Sequence, residues 1–254
     1  MIGAIIGDII GSTYEGNPTK NYNFELFTPG MVFTDDTVLT IAVADALLHK
    51  KPFDKTIHEW GNKYPNSGYG FNFSLWLADS NPQPYNSFGN GSAMRVSPVG
   101  FFFNSEQEVL QFAKRSAEVT HNHPEGIKGA QAVALAIFLA KTGKKKEIIK
   151  SVIVEKFNYD LNRKYQDIKK TYSFDVSCQG SVPEALVAFL ESTDFESAIR
   201  LAIALGGDAD TQACIAGGIA EAYYKSIPKK FTDHCLPLLT DEMHTVINKL
   251  YELS

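Results

Sequence analysis

The sequence predicts an all-α fold, a compact single-domain orthogonal helical bundle arranged around a central buried helix. Three observations lead there. Apolar residues recur at helical spacing along most of the chain, strand-period alternation is scarce, and the segment 124–141 is apolar nearly all round.

The elements follow in chain order. From Thr37 to Lys50, the residues Val38, Ile41, Ala42, Ala44, Leu47 and Leu48 fall on one helical face. Glu106 to Val119 repeats the pattern with Val109, Leu110, Ala113 and Ala117. Pro124 to Lys141 is the helix expected to be enclosed by neighbours. Further helices are expected near 145–157, 183–192, 194–205, 209–225 and 240–252. Residues 16–33 and 62–92, rich in Asn, Pro, Gly, Ser and aromatics, read as ordered loops over the helical body. Residues 158–181 read as a short helix mixed with loop. No fixed-period repeat and no linker-like break interrupts the chain, so residues 1–254 are read as one domain.

Composition removes several function classes. The net charge is −5, and no basic cluster exceeds Lys144-Lys145-Lys146, so the basic face of a nucleic-acid binder is not expected. Three cysteines, Cys178, Cys214 and Cys235, stand too far apart for a disulfide framework or a CxxC metal site. The opening MIGAIIGDIIGS lacks a basic leader and is broken by Asp8 and then Glu15, and the apolar run Ala130–Ala140 is too short to span a bilayer. A soluble cytoplasmic protein is expected.

Two acidic helix starts carry the chemistry. Thr34-Asp35-Asp36-Thr37 precedes one amphipathic helix, and Gly206-Gly207-Asp208-Ala209-Asp210-Thr211 opens another made of small residues. Singly, each reads as an N-cap, since acids and hydroxyls suit free N–H groups and the positive end of a helix dipole. Together, they supply four carboxylates that could not all ionise side by side without a counter-charge. Hard divalent cations resolve this with oxygen ligands, and no His- or Cys-rich set points to zinc. A Mg²⁺ or Mn²⁺ site follows, expected to be binuclear. The small-residue helix Ala209–Ala222 allows close backbone approach, which serves either a rigid metal site or a plain helix–helix contact.

Three further segments are candidates. Asp8 and Glu15 lie two helical turns apart on one face of an otherwise apolar segment, although Asp8 reads equally as a buried hydrogen-bond anchor. Gly89-Asn90-Gly91-Ser92-Ala93-Met94-Arg95 is a glycine-rich turn whose N–H groups could face a phosphate, or simply a tight turn, with Arg95 a phosphate contact or a structural partner. In Thr120-His121-Asn122-His123-Pro124, the histidine spacing is wrong for a zinc pair, leaving a role at the cleft or a helix cap.

The ordered set GDIIGSTYE, FTDDT, GNGSAMR, THNHPEGIKGA and LGGDADT resembles the ADP-ribosylglycohydrolase family of the dinitrogenase-reductase-activating type, over residues 3 to about 224. The resemblance implies an all-α fold with a cleft holding two Mg²⁺ or Mn²⁺ ions on Thr34, Asp35, Asp36, Asp208, Asp210 and Thr211. It implies catalytic roles for Glu15, Asp35 and Asp36, and substrate contacts from Gly91, Ser92 and His121, with Tyr69, Gly70 and Phe71 on a further loop. The implied substrate is an ADP-ribose-bearing protein or small molecule, arginine-linked before serine, acyl or nucleobase linkage, with hydrolysis at the anomeric carbon. The alternatives are a catalytically silent ADP-ribose binder and a metal-dependent nucleotide phosphoesterase.

Overall fold

The computed structural model describes residues 1–253 and is all-α, as the periodicity predicts. Helix α1 (Ile2–Glu15) runs through a long loop into α2 (Asp35–His49), followed by α3 (Phe53–Lys63) and α4 (Phe71–Ala78). Two short helices, α5 (Gly91–Met94) and α6 (Ser97–Phe102), lead to α7 (Glu106–Glu118), α8 (Pro124–Lys141), α9 (Lys146–Phe157) and α10 (Tyr165–Thr171). The C-terminal part holds α11 (Cys178–Glu191), α12 (Phe195–Ile203), α13 (Ala209–Tyr224), α14 (Lys229–Cys235) and α15 (Asp241–Leu253). Among the described residues there is no strand, only an isolated bridge between Gly89 and Ser177. Among them, too, no helix is long and apolar enough to cross a membrane.

Capping explains where element bounds depart from expectation. Helix α2 begins at Asp35 because Thr34 accepts a hydrogen bond from the Asp36 N–H at 3.3 Å. Helix α11 begins at Cys178, ahead of the expected 183, because Ser177 caps it by accepting from Gly180 N at 3.1 Å. Pro183 lies in its second turn, just past the four free N–H groups, and costs the helix one intrahelical hydrogen bond. The stretch 62–92, expected as loop, contains α4, whose Phe73, Trp76 and Leu77 are buried. Local composition hid a helix that tertiary packing supplies. The segment 16–33 remains loop.

Two helices are enclosed. Helix α8 is one, as expected, and α13 is enclosed more fully, with every residue from Ala209 to Ala220 buried. Helix α13 packs on α1, α8, α11 and α12, and its contact with α1 is the most extensive in the molecule. Gly3, Gly7 and Gly11 recur every four residues along α1 and form a ridge with no side chains. A Cβ on them would overlap backbone atoms of Gly217, Ala213 and Asp210 respectively. The order of these pairs shows that the helices run antiparallel, so the C-terminal end of α1 meets the N-terminal end of α13. Glu15 is thereby set beside Asp208 and Asp210.

Gly7→Ala tests this contact. The added methyl has no space at the Ala213 carbonyl, so unfolding free energy should drop by about 1–3 kcal/mol, measurable by urea denaturation. An unchanged midpoint would show that the helices are free to part.

Candidate functional site

The site is assembled from three helix ends, and one buried carboxylate ties two of them together. Asp8, fully buried in α1, accepts four hydrogen bonds from the start of α2. Thr34 contributes its N–H (3.0 Å) and its hydroxyl (2.6 Å), and Thr37 its N–H (3.1 Å) and its hydroxyl (2.5 Å). Of the two readings open in the sequence, the anchor is realised, and the same carboxylate also reaches the acidic cluster. Its ligand atom lies within 4.8 Å of those of Asp36 and Asp210. A second triad, Glu15, Asp208 and Asp210, meets the same limit and shares Asp210.

The electrostatics are unbalanced. Among the described residues, none of Asp8, Glu15, Asp35, Asp36, Asp208 and Asp210 takes part in an ion pair. Burial, and then the charges of Asp8 and Asp208, push the Asp35 carboxyl up from its ordinary value. Burial and the neighbouring Asp8, Asp35 and Asp208 hold Asp36 well above it. Asp210 is raised in the same way, by burial and then by Asp36 and Asp208. Glu15, the exposed member, is raised by burial of its carboxyl and by Asp208 and Asp8. Helix N-termini under Asp35, Asp36 and Asp210 favour the anionic form but do not offset the crowding. Among the described residues, buried Asp36 Oδ1 has no hydrogen-bond partner, an unsatisfied state that a bound ion or water would relieve. An all-oxygen set of this kind suits a hard divalent cation.

Above the acids lies a cavity of about 360 Å³, within the range of small-molecule sites. Glu15, Asp35, Asp36, Asp208, Asp210 and Thr211 line its floor. Gly70, Phe71, Tyr85, Asn90, Gly91, Arg95 and His121 line its walls. Phe71, 76% exposed, stands at the mouth.

Most of the expected residues meet here, and three do not face the cavity. Ser92 is buried and its hydroxyl donates to the Gly126 carbonyl at 2.7 Å, which takes it away from any ligand. Tyr69 turns inward against Phe73, at 5.3 Å between ring centroids. Thr34 spends its hydroxyl hydrogen on Asp8 and its oxygen on the Asp36 N–H. Thr211, in contrast, reaches Asp36 Oδ2 at 3.3 Å from the cavity side. His123 caps α8 by accepting from Glu125 N at 3.1 Å, whereas His121 lines the cleft, so each open reading of that segment holds for one histidine. Arg95 is buried, donating through Nη2 to Ser116 O and Thr120 Oγ1 at 2.8 Å each, while its edge borders the cavity. Sequence reasoning missed Asn90, which donates to Asp208 Oδ2 at 2.7 Å, and Tyr85 on the wall. Asn90 sits between the two glycines of the motif, and that placement was its one signal. Tyr85 had none.

Comparison with known proteins gives a consistent set of matches. A family model described as ADP-ribosylglycohydrolase matches residues 1–254. Human ADP-ribosylhydrolase ARH3 is 28% identical over 336 residues, covering 98% of this chain and 93% of the human protein. The zebrafish (Danio rerio) ARH3 is 28% identical over 331 residues, covering 100% and 89%. A solved structure described as an ADP-ribosylglycohydrolase-related protein complex superposes with a TM-score of 0.78 at 26% identity, covering 100% of this chain and 95% of that one. Both sequence alignments exceed the 254 residues of this chain, so these relatives carry insertions that it lacks.

The cluster predicts a specific response to pH and metal. The raised carboxyls bind protons more tightly folded than unfolded, so their contribution is fully present below about pH 4 and declines as pH rises above it. In EDTA, Tm should therefore fall between pH 5 and 8. At about a hundredfold excess over Kd, Mg²⁺ or Mn²⁺ should restore about 5–10 °C, most at the alkaline end. A Tm indifferent to both would contradict a cation-binding cluster.

Proposed function

The chain belongs to the ADP-ribosylglycohydrolase family, and on that footing we propose that it hydrolyses the glycosidic bond joining ADP-ribose to a modified acceptor, with two divalent cations at the acidic floor. The observation that carries this reading is the convergence of five carboxylates, Glu15, Asp35, Asp36, Asp208 and Asp210, on the floor of one nucleotide-sized cavity, with Asp8 buried against them and no basic partner among the described residues. Asp8, Asp36 and Asp210 would hold one cation and Glu15, Asp208 and Asp210 the other, with Asp35 and the Thr211 hydroxyl as additional oxygen donors, while Thr34, whose hydroxyl is spent on Asp8 and the Asp36 N–H, would hold the ligand set in place. Bound there, the cations would orient ribose hydroxyls and a water and offset charge as the bond breaks.

The protein's own groups divide the remaining work. Glu15, exposed at the cavity edge with its pKa raised by burial and by Asp208 and Asp8, is placed to take a proton from an attacking water or to hold one for a leaving group. Asp35 shares that capacity beside Gly68. Asp36, only 2% exposed, is placed to bind rather than to exchange protons with solvent. Asn90 fixes the orientation of Asp208. Phe71, Tyr85 and the Gly89–Gly91 turn give the nucleotide portion flat apolar surface and close backbone approach. Arginine-linked ADP-ribose is the first acceptor to test, beside serine, acyl and nucleobase linkages.

The experiment follows release of free ADP-ribose from that panel of linkages in Mg²⁺ and in EDTA. Metal-dependent release from one linkage names the leaving group. AMP as product would indicate pyrophosphate cleavage instead, and tight ADP-ribose binding without turnover would leave a binder. Asp35→Asn and Asp208→Asn should each lower turnover at least ~100-fold, on the scale of losses around metal ligands, with circular dichroism unchanged. Near-normal rates in both would contradict the assignment.

A further inference from the structure

One hydroxyl buried behind the cavity wall lies between a guanidinium and an imidazole. Thr120, fully buried just beyond α7, has its Oγ1 2.8 Å from Arg95 Nη2 and 2.7 Å from His121 Nδ1. A guanidinium only donates, so Thr120 accepts from Arg95. The hydroxyl hydrogen then needs an acceptor, and the one within hydrogen-bond reach among the described residues is His121 Nδ1. A nitrogen that accepts carries no proton, and a neutral imidazole then has its hydrogen on Nε2. The opposite tautomer would aim two donors at one oxygen and leave the hydroxyl hydrogen buried without a partner, which native interiors avoid.

The other ring nitrogen faces the site. His121 Nε2 has no hydrogen-bond partner among the described residues and lies against the Gly89–Gly91 turn, where a Cβ on Gly91 would be 3.2 Å from it. His121 itself lines the cavity. We propose that Arg95 and Thr120 are positioning residues that hold His121 as its neutral Nε2–H tautomer, so that the cavity wall presents a hydrogen-bond donor to an acceptor atom of the ligand.

Two observations support the neutral state. His121 is buried, and Arg95 sits against the same hydroxyl, so burial and then the guanidinium charge hold the imidazole well below its ordinary pKa. Among the described residues no carboxylate pairs with Arg95, and its Nε and Nη1 lack partners there, so its charge is not cancelled locally. The Tyr85 ring, 6.0 Å away, is the aromatic neighbour on the cavity side and brings no charge at neutral pH. The tautomer assignment stands on this geometry alone. Its consequence for ADP-ribose rests on the function proposed above.

The test is long-range ¹⁵N–¹H spectroscopy of ¹⁵N-histidine-labelled protein at pH 7, with His121 identified by its absence in His121→Gln. An unprotonated Nδ1 and a protonated Nε2 are expected. Thr120→Val should lose this pattern, and Thr120→Ser, which keeps the hydroxyl, should restore it. A protonated Nδ1 in the unaltered protein, or the same tautomer in the valine variant, would overturn the relay. Should the valine variant fold poorly, the spectrum of the unaltered protein still decides the tautomer. Calorimetry in saturating Mg²⁺, with ADP-ribose as the probe, should show Kd rising up to about tenfold in Thr120→Val and recovering in Thr120→Ser. An unchanged Kd alongside a changed tautomer would overturn the role in binding. Absence of ADP-ribose binding to the unaltered protein would overturn the proposed function alone, because the spectra judge the relay independently.

Discussion

The backbone-to-backbone contact of α1 and α13 is the constraint on which the rest of the structure depends. Three glycines at four-residue spacing let the helices approach until the backbone of one helix meets the backbone of the other. Antiparallel helices at that distance bring a C-terminus and an N-terminus into register, and the residues at those ends are Glu15, Asp208 and Asp210. Asp8, between the glycines Gly7 and Gly11, then reaches sideways to fasten α2 and delivers Asp35 and Asp36. A site drawn from residues about 200 positions apart in sequence therefore rests on side chains that are absent. A methyl group on this ridge would be felt first as lost stability and then as a misplaced carboxylate.

The same assembly accepts an electrostatic cost. Carboxylates in a dry interior are normally paired or neutralised, and here five buried or half-buried aspartates and the exposed Glu15 gather with hydrogen bonds from Thr34, Thr37, Asn90 and Thr211 but no ion pair among the described residues. Burial and mutual repulsion then act in one direction, raising their affinity for protons and for divalent ions alike. Among the described residues, Arg95 is the single positive side chain along the cavity, and it is buried beside His121 with its hydrogen bonds spent on Ser116 and Thr120. The cavity thus has an anionic floor that seeks cations and a wall of donors and aromatic rings.

Much of this was legible in the chain, and the failures have physical reasons. Helix periodicity located α2, α7, α8 and α13 closely, because each buries a long apolar face. Helix α4 was missed because its flanks are loop-like and its eight residues hold together by docking Phe73 and Trp76. The acidic motifs showed the floor of the site, since clustered carboxylates at helix starts have few other uses. Which way a side chain turns was not legible. Ser92 and Tyr69 stand in the right segments and point into the protein, a distinction set by Gly126 and Phe73 from other parts of the chain. The dual position of Asp8, as anchor of α2 and neighbour of Asp36 and Asp210, likewise required knowing where α2 lies.

The central claim is that the fold gathers these carboxylates to hold divalent cations at the floor of the cavity. Anomalous diffraction from crystals grown with Mn²⁺ tests it most directly. The account predicts two manganese peaks, one bounded by Asp8, Asp36 and Asp210 and the other by Glu15, Asp208 and Asp210, with Asp210 between them. A map with no peak at the cavity floor, at Mn²⁺ concentrations that saturate any thermal shift, would contradict it.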